Sequence, residues 1–199
     1  MNIPPLVLIT NSGFDDEHLT RVAELVCKAV PGTCVQLRDH QRDDAELEPL
    51  ATRLREITRM HGGMLLLNRR PDLARRVGAD GIHGDARGRT PIVSTPAHDD
   101  VELQMAKDGG ARFALVSPIY ATPGKQAPRG VSALVAARSL AGEMGVIALG
   151  GIDENNADAC FAAGADGVAC IRALLAASDP TTIARRIVEN APVVRSRPR

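Results

Sequence analysis

Tryptophan is absent from the 199-residue chain, tyrosine occurs once, at position 120, and aromatic residues make up 2% of the whole. Net charge is also missing, since 24 Lys+Arg face 24 Asp+Glu. A nucleic-acid surface needs a basic footprint and rings on which bases stack, so that class is excluded. No apolar run approaches the roughly 20 residues that span a bilayer. Met1 to Thr10 lacks the charged start and long apolar stretch of a secretion signal, and the expected location is the cytoplasm, away from membranes. Cys27, Cys34, Cys160 and Cys170 form no C-x-x-C pair, which removes the usual zinc and redox motifs and leaves small buried thiols.

What the chain does have is a recurring unit. Short runs rich in Val, Ile and Leu alternate with longer stretches of mixed polarity, without any break in composition. Eight runs read as strands: Leu6 to Thr10, Thr33 to Leu37, Met64 to Asn68, Gly81 to His83, Ile92 to Ser94, Phe113 to Ser117, Val146 to Leu149 and Gly167 to Ile171. Continuous apolar character, as in Met64 to Leu67, suits parallel strands covered on both faces. Helices are expected over Asp15 to Val30, Asp43 to Met60, Pro71 to Val77, Asp99 to Asp108, Ser132 to Glu143, Glu154 to Ala162 and Pro180 to Glu189. The pattern predicts an α/β fold, a compact, parallel, eight-stranded (βα)8 TIM barrel, with a doubly wound open sheet as the alternative. Residues 1–190 read as a single barrel domain and 191–199, with three Arg and two Pro, as a flexible C-terminal tail.

An echo supports the unit. Gly78-Ala79-Asp80-Gly81, Gly110-Ala111-Arg112-Phe113 and Gly164-Ala165-Asp166-Gly167 each join a helix to a strand, where glycine adopts the left-handed conformation that ends a helix. These joints belong to the N-terminal face of the barrel, which serves stability; chemistry belongs to the loops after the strands.

Four such loops stand out. Gly150-Gly151 follows the seventh run and Arg172 the eighth, the places where this architecture usually cradles phosphate on backbone N–H groups. A tight turn explains a Gly-Gly pair equally well. Ser117 to Gly130 makes a long Pro- and Gly-rich loop in which Thr122 offers a hydroxyl and Lys125 a mobile cation. Gln36 and Arg38 share a face by alternation and point together into the barrel mouth, toward a ligand or an internal carboxylate. Asn68, His83 and His98 sit at or just beyond the ends of the third, fourth and fifth runs. No helix carries a clear interaction stripe, so a monomer or small homo-oligomer is expected.

Gln36-Leu37-Arg38, Val77 to His83, Pro118-Ile119-Tyr120 with Thr122 and Lys125, Gly150-Gly151-Ile152 and Gly164 to Val168 together resemble the thiamin phosphate synthase/TenI family, in order, from about Leu6 to Ile187. The resemblance implies a (βα)8 barrel in thiamin biosynthesis that binds a phosphorylated thiazole and a phosphorylated pyrimidine. Gly151, Ile171 and Arg172 match positions for the thiazole phosphate, Thr122 and Lys125 the loop over the substrates, and Gln36, Arg38 and Asn68 positions for the aminopyrimidine diphosphate. In this resemblance His98, Lys125 and Arg38 are the catalytic candidates. The family's coupling reaction implies Mg²⁺, yet its Asn-Asp pair is Asn68-Arg69 here, the loop from His83 to Gly88 is shortened, and the lysine after Gln-x-Arg is replaced by His40. Asp85 is the remaining carboxylate candidate for the metal, and Arg69 with Arg70 is the alternative, a direct clamp on diphosphate. Three activities stay open: synthase-type coupling to thiamin phosphate, a metal-independent TenI-like thiazole tautomerase using His98, and non-catalytic binding of a phosphate ligand.

Overall fold

Eight short apolar segments pair side by side in chain order: β1 (Leu6–Ile9), β2 (Cys34–Leu37), β3 (Met64–Asn68), β4 (Gly81–His83), β5 (Ile92–Ala97), β6 (Phe113–Val116), β7 (Gly145–Leu149) and β8 (Gly167–Cys170). Every pairing is parallel, and β8 returns to β1 with Val7 beside Ala169, so the sheet closes and the open-sheet alternative falls. The computed structural model describes residues 3–84, 92–124 and 127–192. Between the strands run α1 (Asp16–Ala29), α2 (Asp44–Met60), α3 (Pro71–Arg76), α4 (Asp100–Asp108), α5 (Ser132–Ala141), α6 (Ala157–Ala162), α7 (Arg172–Leu175) and α8 (Pro180–Ile187).

Local chemistry sets several of these ends. Asp15, Asp43, Asp99 and Asp179 are N-caps whose carboxylates accept from the first-turn N–H groups of His18, Glu46, Glu102 and Thr182. The helices expected to start at Asp15, Asp43 and Asp99 therefore start one residue later. α6 begins at Ala157 rather than Glu154, because Asp153 and Asn156 close a turn of their own: Asp153 N donates to Asn156 Oδ1 at 3.0 Å and Asn155 N to Asp153 Oδ1 at 2.9 Å. β5 runs on through Pro96, past the expected end at Ser94. Gly84 N donates to Ser94 O and Ser117 N to Ala97 O, so by alternation Pro96 faces the β4 side, where β4 has already ended and no N–H is needed.

Alternation along the strands divides the core in two. Val7, Ile9, Cys34, Met64, Leu66, Phe113, Leu115, Ile147 and Ala169 fill the barrel, while Leu6, Leu8, Val35, Leu65, Leu67 and Val168 face the helices. Each fully buried Leu or Ile contributes about 2 kcal/mol of transfer free energy. All four cysteines are buried and free, as the sequence suggests.

The glycine joints behave as expected, with φ of 63°, 74° and 95° at Gly78, Gly110 and Gly164. Two of them share a further device. Asp80 Oδ2 accepts from Leu65 N at 2.8 Å and from Arg55 Nη1 at 2.8 Å, and Asp166 Oδ2 accepts from Val146 N at 2.8 Å and from Arg138 Nη1 at 2.6 Å. Each aspartate thus ties the N–H of a neighbouring strand's second residue to an arginine of α2 or α5. No described helix is long and apolar enough to cross a membrane.

Candidate functional site

Following the inward faces of the strands toward their C-terminal ends, the apolar filling gives way to polar side chains. Gln36 follows Cys34 on β2, Asn68 follows Leu66 on β3, and His83 and Ser94 pair beside Asn68 on β4 and β5. Ser117 follows Leu115 just beyond β6. All five are buried. Gln36 is 2% exposed and its Oε1 has no hydrogen-bond partner among the described residues, a costly state for a buried acceptor that an incoming donor would relieve. His83 Nδ1 lies 2.7 Å from Ser94 Oγ. Burial, with the charges of Arg69 and Arg38 added to it, pushes the His83 imidazole down to a pKa of about 4, so it is neutral at pH 7. His83 and Ser94 were not singled out for binding from the sequence. The available signal was their place at strand ends, in register with Asn68.

Above this floor stands a cationic rim. Arg38 is fixed through its backbone: Arg38 N donates to Thr10 Oγ1 at 2.8 Å, and the same hydroxyl donates to Arg38 O at 3.2 Å. Thr10, 1% exposed at the end of β1, also donates its N–H to Gln36 O. Arg69 has φ +55°, the one non-glycine left-handed residue among those described, and its N–H donates to His83 O at 2.9 Å. That turn lays the Arg69 side chain over Gly84, whose φ is +120°. A Cβ on Gly84 would lie 2.7 Å from Arg69 Cγ, so the glycine is what admits the arginine.

Arg70 is different from Arg69. Its guanidinium donates to Asp44 Oδ1 at 2.6 Å, to Arg42 O at 2.7 Å and to Asp39 O at 3.0 Å, which binds the loop after β2 to the start of α3. It is therefore not available as half of a diphosphate clamp. Asp39, His40, Asp44, Asn68, Arg69, Arg70, Pro71 and Asp72 line a cleft of about 410 Å³ on the side of the mouth where β2 and β3 end. Burial would raise the Asp39 carboxyl, but hydrogen bonds from the N–H groups of Gln41 and Arg42 and from the Arg42 guanidinium hold it below its usual value.

The corner formed by β6, β7 and β8 carries the other group of expected residues. The segment after β6 stays paired with β7, with Ile119 N donating to Leu149 O and Tyr120 N to Gly150 O, both at 2.9 Å. Gly151 has φ +66°, and a Cβ there would lie 2.8 Å from Tyr120 Cβ and 2.9 Å from Ala121 O. Close passage of this segment is one reason for the glycine pair. Asn156 Nδ2 donates to Gly151 O, and Tyr120 OH donates to Asn156 O, which fixes the outer side of the turn. Ile171 packs its side chain against the barrel filling and caps α7 without any side-chain hydrogen bond, and the first-turn N–H groups of Arg172 and Ala173 have no acceptor among the described residues. The Arg172 side chain is exposed, and Thr122 Oγ1 donates to Tyr120 O at 3.2 Å.

Neighbouring strands bring Gln36, Arg38 and Asn68 together on one side of the mouth, and Gly151, Ile171, Arg172 and Thr122 on another. His98 lies at the rim after β5, exposed, with Nδ1 2.8 Å from Glu102 Oε2. Lys125 and Asp85 lie outside the described residues, as do 193–199 of the expected tail. Among the described residues no three His, Cys, Asp or Glu side chains gather as a metal site. Asp39 is held by Arg42, Asp44 by Arg70 and Asp72 by Arg75, and two guanidinium groups occupy the mouth. The described residues therefore do not fit Mg²⁺, which needs oxygen ligands in near-octahedral array.

Residues 6–174 match the TMP-TENI family model, described as thiamine monophosphate synthase. A thiamine-phosphate synthase of Moorella thermoacetica is 35% identical over 182 residues, covering 83% of this chain and 86% of that protein. One from Gloeobacter violaceus is 38% identical over 159 residues, 73% of this chain. The chain spans 46% of the Gloeobacter protein's length, and 33% of that of a ThiM/ThiE bifunctional thiamine biosynthesis protein of Symbiobacterium thermophilum, also 38% identical. Among solved structures, a thiamine phosphate pyrophosphorylase from Pyrococcus furiosus superposes with a TM-score of 0.78 at 23% identity, over 92% of this chain and 95% of that one, a likeness of fold.

Proposed function

The chain belongs to the thiamine monophosphate synthase (TMP-TENI) family, and from that premise we propose that it joins a phosphorylated thiazole to an aminopyrimidine bearing a methylene diphosphate. The products are thiamin phosphate and diphosphate. In this reading the C–O bond between the pyrimidine methylene and diphosphate breaks, with its electron pair leaving on oxygen. The thiazole nitrogen lone pair forms the new C–N bond, and no proton changes hands.

Each half of the mouth has a part in this reading. Gly151, Ile171 and Arg172 hold the thiazole phosphate on backbone N–H groups and one guanidinium. Thr122 and Lys125 belong to the loop that covers it. Gln36 and Asn68 take the pyrimidine end, and Arg38 meets the diphosphate, where negative charge grows as the bond breaks. Mg²⁺ is given no step, because the described residues do not fit it. His98, turned to Glu102, is also given none.

The observation that carries the reading is Gln36 Oε1, buried and unpartnered at the mouth, beside Arg38, whose side chain has no hydrogen bond or ion pair among the described residues. The test is the purified protein with both phosphorylated substrates over a range of Mg²⁺ concentrations. Thiamin phosphate is the expected product, and its absence at every concentration overturns the reading. Isomerised thiazole carboxylate phosphate without coupling would point to the tautomerase instead.

A further inference from the structure

A carboxylate is replaced by Arg69 at the place where the family resemblance puts one, and the change is built into the local backbone. The left-handed turn at Arg69, the bond from its N–H to His83 O and the bare α-carbon of Gly84 together direct the side chain across the end of β4. Arg38 is fixed from the other side by Thr10. Neither guanidinium is paired with a carboxylate among the described residues, whereas neighbouring Arg42 and Arg70 both are. Two cations left without a carboxylate partner among the described residues repel a third cation and attract an anion with several oxygens, while the unpartnered Gln36 oxygen, an acceptor, is left for a donor such as the pyrimidine's amine.

We infer that Arg38 and Arg69 form a metal-free clamp for a diphosphate group at the barrel mouth, taking by guanidinium hydrogen bonds the charge that the family resemblance assigns to a divalent cation. The inference rests on the proposed coupling for its substrate class, and goes beyond it in saying how the leaving group is held. Guanidinium suits this task because its planar fork matches two phosphate oxygens at once.

The test is calorimetric titration of the whole chain with inorganic pyrophosphate in EDTA, and again with excess Mg²⁺. Binding is expected in EDTA, with no tightening by Mg²⁺. Arg69→Asn, which keeps a residue that tolerates the left-handed turn, and Arg38→Gln should each weaken binding roughly ten- to hundredfold, with far-UV dichroism unchanged. Binding that appears only with Mg²⁺, no binding under either condition, or wild-type affinity in Arg69→Asn overturns the clamp. The coupling assay is independent: metal-free binding without thiamin phosphate keeps the clamp and removes the reaction, while product formation with metal-dependent binding does the reverse.

Discussion

The hydroxyl of Thr10 grips Arg38 from both sides, accepting from its N–H at 2.8 Å and donating to its carbonyl at 3.2 Å. A side chain thereby continues the β1–β2 ladder one step beyond the strands and fixes the residue that begins the cationic rim. Thr10→Val keeps the shape and loses both bonds, leaving a backbone N–H without its acceptor. We expect a stability loss of about 1–3 kcal/mol and weaker pyrophosphate binding, with Thr10→Ser restoring both. Urea denaturation and calorimetry check this, and a Thr10→Val protein with unaltered pyrophosphate affinity removes Thr10's positioning role.

His83 makes stability depend on pH. Its folded-state pKa is about 4, against roughly 6.5 for a free imidazole, so the unfolded chain binds the proton more tightly. The neutral side chain's contribution is complete above pH 6.5 and is lost progressively as pH falls toward 4, by roughly 3 kcal/mol in all. Compared with His83→Gln, the wild-type protein should lose more of its urea stability between pH 7.5 and pH 4.5. Parallel losses in the two proteins would contradict the assignment.

Asp80 and Asp166 do the same task at separate joints and share no partner. Asp80→Ala and Asp166→Ala should each cost about 1–3 kcal/mol, chiefly through the strand N–H left without its acceptor, since both ion pairs are partly open to water. The double variant should show the sum to within about 0.5 kcal/mol. Because these joints lie at the N-terminal ends of the strands, pyrophosphate affinity should stay at the wild-type value in all three.

Gly151→Ala tests the corner between β7 and β8. The methyl would meet Tyr120 Cβ and Ala121 O below 3 Å on a backbone with φ +66°, so the turn must shift. A stability cost of about 1–3 kcal/mol is expected together with loss of thiazole phosphate binding, measured by calorimetry. Full retention of binding would take the thiazole phosphate away from this turn.

The legible part of this protein was what repeats or alternates. Apolar runs such as Met64 to Leu67 announce strands covered on both faces, and all eight are present. The shared direction of Gln36 and Arg38 follows from the same alternation. What stayed hidden depends on contacts between distant segments. Pro96 reads as the end of a strand unless β4 is known to stop early, and Arg70 reads like Arg69 until α2 brings Asp44 to it. The turn at Asp153–Asn156 lay nearer to view, since an Asp followed by two Asn within three residues favours a local side-chain turn over a first helical turn.

Tyr120 is packed against Gly151 and hydrogen-bonded to Asn156, in a chain with no tryptophan and no second tyrosine. Any phenolic fluorescence from this protein therefore originates at one address, beside the corner assigned to the thiazole phosphate. Evolution has left the molecule with a built-in optical reporter, and titrating it needs neither label nor mutation.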